Sequence, residues 1–228
     1  MRVAASSGSK TQPIEIALAL DLRIALFTIA DSTLYVALQD RADGLALPRG
    51  LPETRESLDA AARRAVRAAT QLQEQYLEQL YTFGLPGDGE PRAIVVSYLA
   101  LISSGSAPDQ SDGVAWTAVP VATELSESDS LVVEYALLRL RAKLGYTNIA
   151  FSLLPETFTL TELQTAYESI LGHRLDKRNF RRRMIASGIL SETMEKRREG
   201  SHRPATLYRF QSEQDHATYL TPNWSGEE

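Results

Sequence analysis

The sequence predicts an α+β fold in two parts: a mixed strand-and-helix domain ending near residue 128, then a small basic winged helix. Three observations carry that expectation. Aliphatic and β-branched runs open the chain, an amphipathic helical stretch follows them, and charge is divided unevenly along the sequence. Residues 172–210 hold eleven Lys and Arg against four acids, a net of +7, so the rest of a chain of net charge −5 carries −12. With 228 residues, 43% of them apolar, there is material for two cores.

The strands come first. Segments 14–20 (IEIALAL), 22–29 (LRIALFTI) and 33–38 (TLYVAL) are β-prone and set apart by turn signals. A loop with Gly44 and Leu47-Pro48-Arg49-Gly50 leads to residues 57–72, where Leu58, Ala62, Ala65, Val66, Ala69 and Leu72 recur at helical spacing. Strands are expected again at 78–83, 93–102 and 116–119. Residues 130–144 predict a helix with two opposed apolar stripes, Leu131, Tyr135, Leu138 and Ala142 against Val133, Leu137, Leu140 and Leu144. Such a helix needs packing on both sides, either within one chain or as a connector that also meets a partner subunit.

From Asn148 the pattern is three helices and a hairpin. Thr159-Leu-Thr-Glu162 is a capping box opening a helix that Gly172 ends. Asp176 caps the next helix, 177–187, and strands at 189–195 and 205–210 flank the tip KRREGSHRP. This is the winged-helix outline. On helix 177–187, Phe180, Met184 and Ser187 share an inward face, while Arg178, Asn179, Arg181 and Arg182 spread over the other. Arg bonds guanine in bidentate fashion and Asn does so with adenine, which assigns Arg178, Asn179 and Arg182 to bases. Lys177, Arg181 and Arg183 are assigned to phosphates. Lys196, Arg197, Arg198, His202 and Arg203 on the hairpin would reach a minor groove or flanking phosphates. The expected partner is double-stranded operator DNA.

Composition removes several alternatives. Without cysteine there is no disulfide, thiolate metal site or cysteine nucleophile, and with only His173, His202 and His216 no metal site is expected. The apolar stretch 14–30 is cut by Glu15, Asp21 and Arg23, and the first ten residues carry no apolar core. Neither a signal peptide nor a membrane span is expected, which points to the cytoplasm.

One motif bears on chemistry. Gly50, Glu56, Arg64, Val66 and Leu72 stand where a Nudix box wants its Gly, Glu, Arg and apolar residues, so the stretch resembles that box. Its three helical Glu positions are here Ala65, Ala68 and Ala69, and its Gly is Gln71. Those carboxylates hold magnesium against a substrate diphosphate, and methyl groups cannot. The box therefore implies a Nudix-like fold and, by its departures, no enzyme. Glu56 and Arg64 are expected to serve as scaffold, Glu56 through a hydrogen bond at the loop-helix junction and Arg64 in a buried pair with Glu56 or a neighbouring carbonyl.

The chain from about residue 14 to 210 resembles the Nudix-related transcriptional regulators, which join a Nudix-like domain to a C-terminal winged helix. The sharpest likeness lies in YTNIAFSLLPETFTLTELQTAYESILGHRLDKRNFRRRMIASGIL and RPATLYRF, with YLEQLYTFG and VVSYLAL upstream. The resemblance implies a Nudix-like α/β/α sandwich with a mixed sheet and a homodimeric repressor of NAD-metabolism genes. Its effector would be ADP-ribose or a related nucleotide, with no cofactor required. Sugar-utilisation regulators answering to a phosphosugar, an active hydrolase of a nucleoside diphosphate derivative and a protein-interaction module are the alternatives. Arg49, Gly50 and Arg92 are the candidates for holding a diphosphate, with Glu56 for a ribose hydroxyl. The expected organisation is a tail over 1–12, a Nudix-like sensing domain over 13–128, a connector helix over 129–147, a winged-helix domain over 148–212 and a tail over 213–228.

Overall fold

The structure, a computed structural model, describes residues 18–42, 44–85, 92–104, 114–121, 125–198 and 204–211. Both expected tails lie outside these residues. The centre of the fold is a long strand, β1 (Leu18–Ala30), which joins β2 (Thr33–Arg41) through a tight hairpin. Asp31 and Ser32 turn that corner with φ of 45° and 62°, a pair of left-handed residues of the kind that suits the strand twist. Two strands separated at residue 21 were expected here. The backbone instead continues straight through, because Asp21 and Arg23 pair with each other rather than breaking the strand.

The remaining strands are β3 (Gly44–Ala46), β4 (Arg49–Gly50), β5 (Tyr76–Leu85), β6 (Arg92–Leu101) and β7 (Ala115–Ala118). Their order is β3-β2-β1-β6-β5, with β4 on β1 and β7 on β2. β1 and β6 run parallel and the other neighbours antiparallel, a mixed sheet. Arg49 and Gly50, expected in a loop, form β4 against Arg23 and Leu22.

Alternation along β1 explains the layers. Leu22, Ile24 and Leu26 face α1 (Leu58–Thr70), whose Ala61, Ala62, Ala65 and Val66 complete one core. Ala25, Phe27 and Ile29 face the other side, where α2 (Glu127–Leu144) lies. Both faces of the strand are buried, which is why its sequence is nearly continuously apolar. Ser57 caps α1 by accepting from the Ala60 amide at 3.2 Å, and Gln71 ends it in the left-handed conformation at φ 57°.

The second core does not stop at the sheet. It runs from Phe27 and Leu99 through Val132, Ala136, Leu140 and Leu144 of α2 to Leu153, Phe158 and Leu163 beyond. There a 3-10 turn (Ile149–Leu153) precedes α3 (Leu160–Leu171), α4 (Lys177–Ala186) and the hairpin β8 (Leu190–Arg197) with β9 (Ala205–Phe210). The Thr159–Glu162 capping box forms as expected, the Glu162 amide donating to Thr159 Oγ1 at 3.1 Å and the Thr159 amide to Glu162 Oε2 at 2.6 Å. Polar contacts tie the halves: Arg141 Nε donates to the Ile170 carbonyl at 2.8 Å, and Ser169 Oγ donates to the Ser32 carbonyl at 2.9 Å.

Candidate nucleic-acid interface and ligand cleft

Helix α4 is built to show one face. Phe180 and Met184 are buried, and the Phe180 ring meets Tyr167 edge-on with centroids 5.3 Å apart. Asp176 Oδ1 accepts from the Asn179 amide at 2.7 Å, fixing where the helix begins. Its ten residues hold Lys177, Arg178, Arg181, Arg182 and Arg183, all exposed, and no acid. Five exposed cations on one short helix make a surface suited to a polyanion, and in water their mutual repulsion is largely screened. Arg182 Nη2 donates to Asn179 Oδ1 at 2.9 Å, and Arg181 Nη2 to Thr161 Oγ1 at 3.2 Å on the first turn of α3.

On the hairpin, Lys196 and Arg198 are exposed, whereas Arg197 turns back. Its Nη1 donates to Glu162 Oε1 at 2.6 Å and its Nη2 to the Thr157 carbonyl at 3.2 Å. Arg197 thus clamps β8 to the start of α3, a placement the charge count could not reveal. His202 and Arg203 lie outside the described residues.

In the first half, Gly50 sits against α1: a Cβ there would come 3.2 Å from Ala65 Cβ. A larger residue there would push Ala65 back by a few tenths of an ångström. Arg64 makes a bidentate pair with Glu56, Nε to Oε1 at 3.0 Å and Nη2 to Oε2 at 2.8 Å, and also donates to the Leu51 carbonyl at 2.7 Å. The Arg64 bond and the Glu53 amide hold the Glu56 carboxyl at about 2, well below the usual carboxylate range. Both residues brace the loop onto the helix, but the pair expected to be buried lies at the surface, with the Arg64 side chain 44% exposed, because the loop leaves that side of α1 open. Glu56 therefore meets a ribose hydroxyl only by sharing oxygens already bonded.

At the box's helical carboxylate positions Ala65 and Ala69 are buried and Ala68 is exposed. Among the described residues no group of three or more His, Asp or Glu could hold a metal ion. The donor set does not fit a magnesium cluster. Arg92 opens β6 opposite Leu18, and its side chain is outside the description.

Arg49 is differently placed from the loop residue expected. Its Nη2 lies 3.1 Å from Asp129 Oδ2, and Asp129 is wholly buried in the first turn of α2. Arg23 Nη1 reaches Asp129 Oδ1 at 2.8 Å and Ser128 Oγ at 2.6 Å, while Arg23 Nε meets Asp21 at 2.9 Å. The Leu47 amide also donates to Asp129, at 3.2 Å. Sequence reasoning missed this cluster. The available signal was the face: Asp21 and Arg23 alternate with the same register as Ala25, Phe27 and Ile29, so they point at α2 and require partners there.

A second charged group, also missed, joins β5 to α2. Glu78 accepts from Tyr76 at 2.6 Å and Arg139 at 2.7 Å, with Lys143 at 3.1 Å. Burial pushes its carboxyl up, but those three donors outweigh it and hold it below the ordinary value. Two clefts lie where the halves meet: one of about 930 Å³ beside Phe151, Phe158 and Phe210, and one of about 390 Å³ beside Ser32, Arg141 and Ser169. Among the described residues no helix is long and apolar enough to cross a membrane.

This architecture defines a class, a DNA-binding winged helix carried on a Nudix-like domain. The NrtR DNA-binding winged helix domain family matches residues 150–210. The ADPR responsive transcriptional repressor NtrR of Acinetobacter baylyi is 37% identical over 201 residues, 82% of this chain and 80% of that protein. The crystal structure of Shewanella oneidensis NrtR complexed with a 27mer DNA matches with a TM-score of 0.77 and 31% identity, covering 88% of this chain and 96% of that one. A MutT/nudix family protein from Enterococcus faecalis, 22% identical, shares the fold at a TM-score of 0.69 over 88% of this chain and 90% of its own. The chain belongs to the NrtR family of Nudix-related transcriptional repressors.

Proposed function

We propose that this protein is a homodimeric repressor of NAD-metabolism genes, released from its operator by ADP-ribose or a related nucleotide bound in a non-catalytic Nudix-like domain. The observation that carries this reading is the exposed, acid-free cation face of α4 on a chain whose box helix bears methyl groups where carboxylates would hold magnesium. Lys177, Arg178, Asn179, Arg181, Arg182 and Arg183 would read and grip a major groove, with Lys196, Arg198, His202 and Arg203 on flanking phosphates. Arg197 joins them only if it leaves Glu162. Support for the effector comes from the ADPR response in the name of the Acinetobacter baylyi relative. Arg49, Gly50, Glu56 and Arg92 remain the residues proposed to meet it.

The organisation proposed from sequence is part of this reading: sensing domain to residue 128, connector helix, then winged helix from 148. The second copy is placed on the outward stripe of α2. Leu131, Tyr135 and Leu138 are exposed there, Leu138 by 64%, and Tyr135 packs against Tyr81 and Phe83 of β5 at 5.1 and 6.0 Å. An apolar patch of that kind, on a protein expected to read a two-fold operator, suits an isologous dimer. The test measures operator affinity at fixed salt with and without saturating ADP-ribose, beside a magnesium-dependent turnover assay. Weakened operator binding without turnover is expected. Bound ADP-ribose that leaves operator affinity unchanged, or turnover at about 1 per second or faster, contradicts the reading.

A further inference from the structure

Arg49 is engaged before any effector arrives. We propose that Asp129, seconded by Arg23, is the positioning residue that couples the effector site proposed at Arg49 to the winged helix: an effector's diphosphate competes with Asp129 for Arg49 and loosens the first turn of α2. This rests on the reading that Arg49 meets the effector.

The geometry of the cluster supports an exchange. Arg49 Nη2 holds Asp129 at 3.1 Å, but Arg49 Nε is buried with no acceptor among the described residues. A phosphate offers acceptors for both nitrogens in the fork geometry a guanidinium prefers. When Arg49 leaves, Asp129 keeps Arg23 Nη1 at 2.8 Å and the Leu47 amide at 3.2 Å. The buried carboxylate is never stranded, so the exchange is reversible rather than denaturing.

Helix α2 then carries the change. Its first turn holds Asp129, and its far end packs Leu140 and Leu144 into the core shared with Phe158, Leu163 and Tyr167. Arg141 bonds the last turn of α3 through the Ile170 carbonyl. A rod of about 27 Å transmits a small tilt at one end to the elements that present α4.

The experiment uses the full chain with ADP-ribose as probe. Asp129→Asn keeps the side-chain shape and removes the pull on Arg49. Operator affinity without ligand should fall roughly 5- to 150-fold, to about the ligand-bound wild-type level, and ADP-ribose affinity measured without DNA should rise, because Asn no longer competes for Arg49. The ratio of operator affinities with and without ligand should approach one. A variant that keeps the wild-type ratio and the wild-type ligand affinity overturns the coupling while leaving the effector reading intact. A wild type whose operator affinity ignores bound ADP-ribose overturns both. Should Asp129→Asn not fold, hydrogen exchange on the wild type decides: ADP-ribose should speed exchange of the Ser130 amide, bonded now to the Ser126 carbonyl in the first turn of α2. Unchanged or slowed exchange there overturns the proposal.

Discussion

The two ends of this molecule carry charge in opposite ways. Helix α4 displays five exposed cations and contains no acid, whereas between β1 and α2 the buried Arg23 and Asp129 pair with each other and with the half-buried Asp21 and Arg49. The first arrangement faces solvent, where a polyanion can meet it; the second is nearly complete within the chain. Surface cations contribute little to folding and lend themselves to binding, while buried pairs contribute little net energy as pairs but make the loss of either member costly. Substitutions at the two places should therefore separate stability from DNA affinity.

The largest effect is expected at the buried end. Asp129→Ala leaves Arg49 without its carboxylate and Arg23 with Asp21 alone, and should destabilise the fold by about 3–5 kcal/mol, read from urea unfolding. A loss under about 1 kcal/mol would show that water reaches the cluster and that the comparison is overdrawn. At the exposed end, Arg182→Ala should cost about 1–3 kcal/mol of operator affinity, roughly 5- to 150-fold, and leave the unfolding midpoint unmoved. Lys177→Ala should weaken all DNA sequences alike and lower the salt slope by about 1. If instead Arg182→Ala unfolds the protein, its bond to Asn179 is structural and the two ends do not differ.

Legibility in the sequence divides along the same line. Phe180 and Met184 were readable as the inner face of α4 because both residues obey one helix's own period, and the capping box needed only four consecutive residues. Asp129 was not readable, since its partner Arg23 lies 106 residues away and only the sheet brings them together. Arg197 was counted with the hairpin cations for a related reason. Its partners Glu162 and Thr157 lie 35 and 40 residues away, so no local pattern marks its direction. The strand break expected at Asp21 failed because a charged residue was read as a turn signal when its ion pair lets it stay in the sheet.

Gln71 tests how much of the Nudix box survives as backbone. The box has Gly there, and Gln71 still adopts the left-handed conformation at φ 57° that Gly tolerates best. Gln71→Gly should stabilise the protein by about 1 kcal/mol, since relief of that conformation exceeds the added chain entropy of Gly. Thermal melts would show it as a raised Tm. A lowered Tm would mean that the Gln71 side chain makes a compensating contact.

The smallest effect is expected at the surface pair that survives from the box, and its pH dependence identifies it. Glu56 is held at about 2 by Arg64 and the Glu53 amide, against an ordinary value of 4.5. Its folded value lies below its unfolded one, so its contribution is fully present above the unfolded value and is lost as pH falls toward the folded value. Glu56→Gln keeps the shape and removes the charge. The variant should melt slightly below the wild type near neutral pH, and the gap should close progressively between about pH 4.5 and pH 2. Salt should narrow the gap as well, because this pair is exposed where the Asp129 cluster is buried. A gap independent of both pH and salt would assign Glu56 to packing of the loop rather than to charge. A wild type and variant that melt alike at every pH would leave the loop held by the Arg64 bond to the Leu51 carbonyl alone.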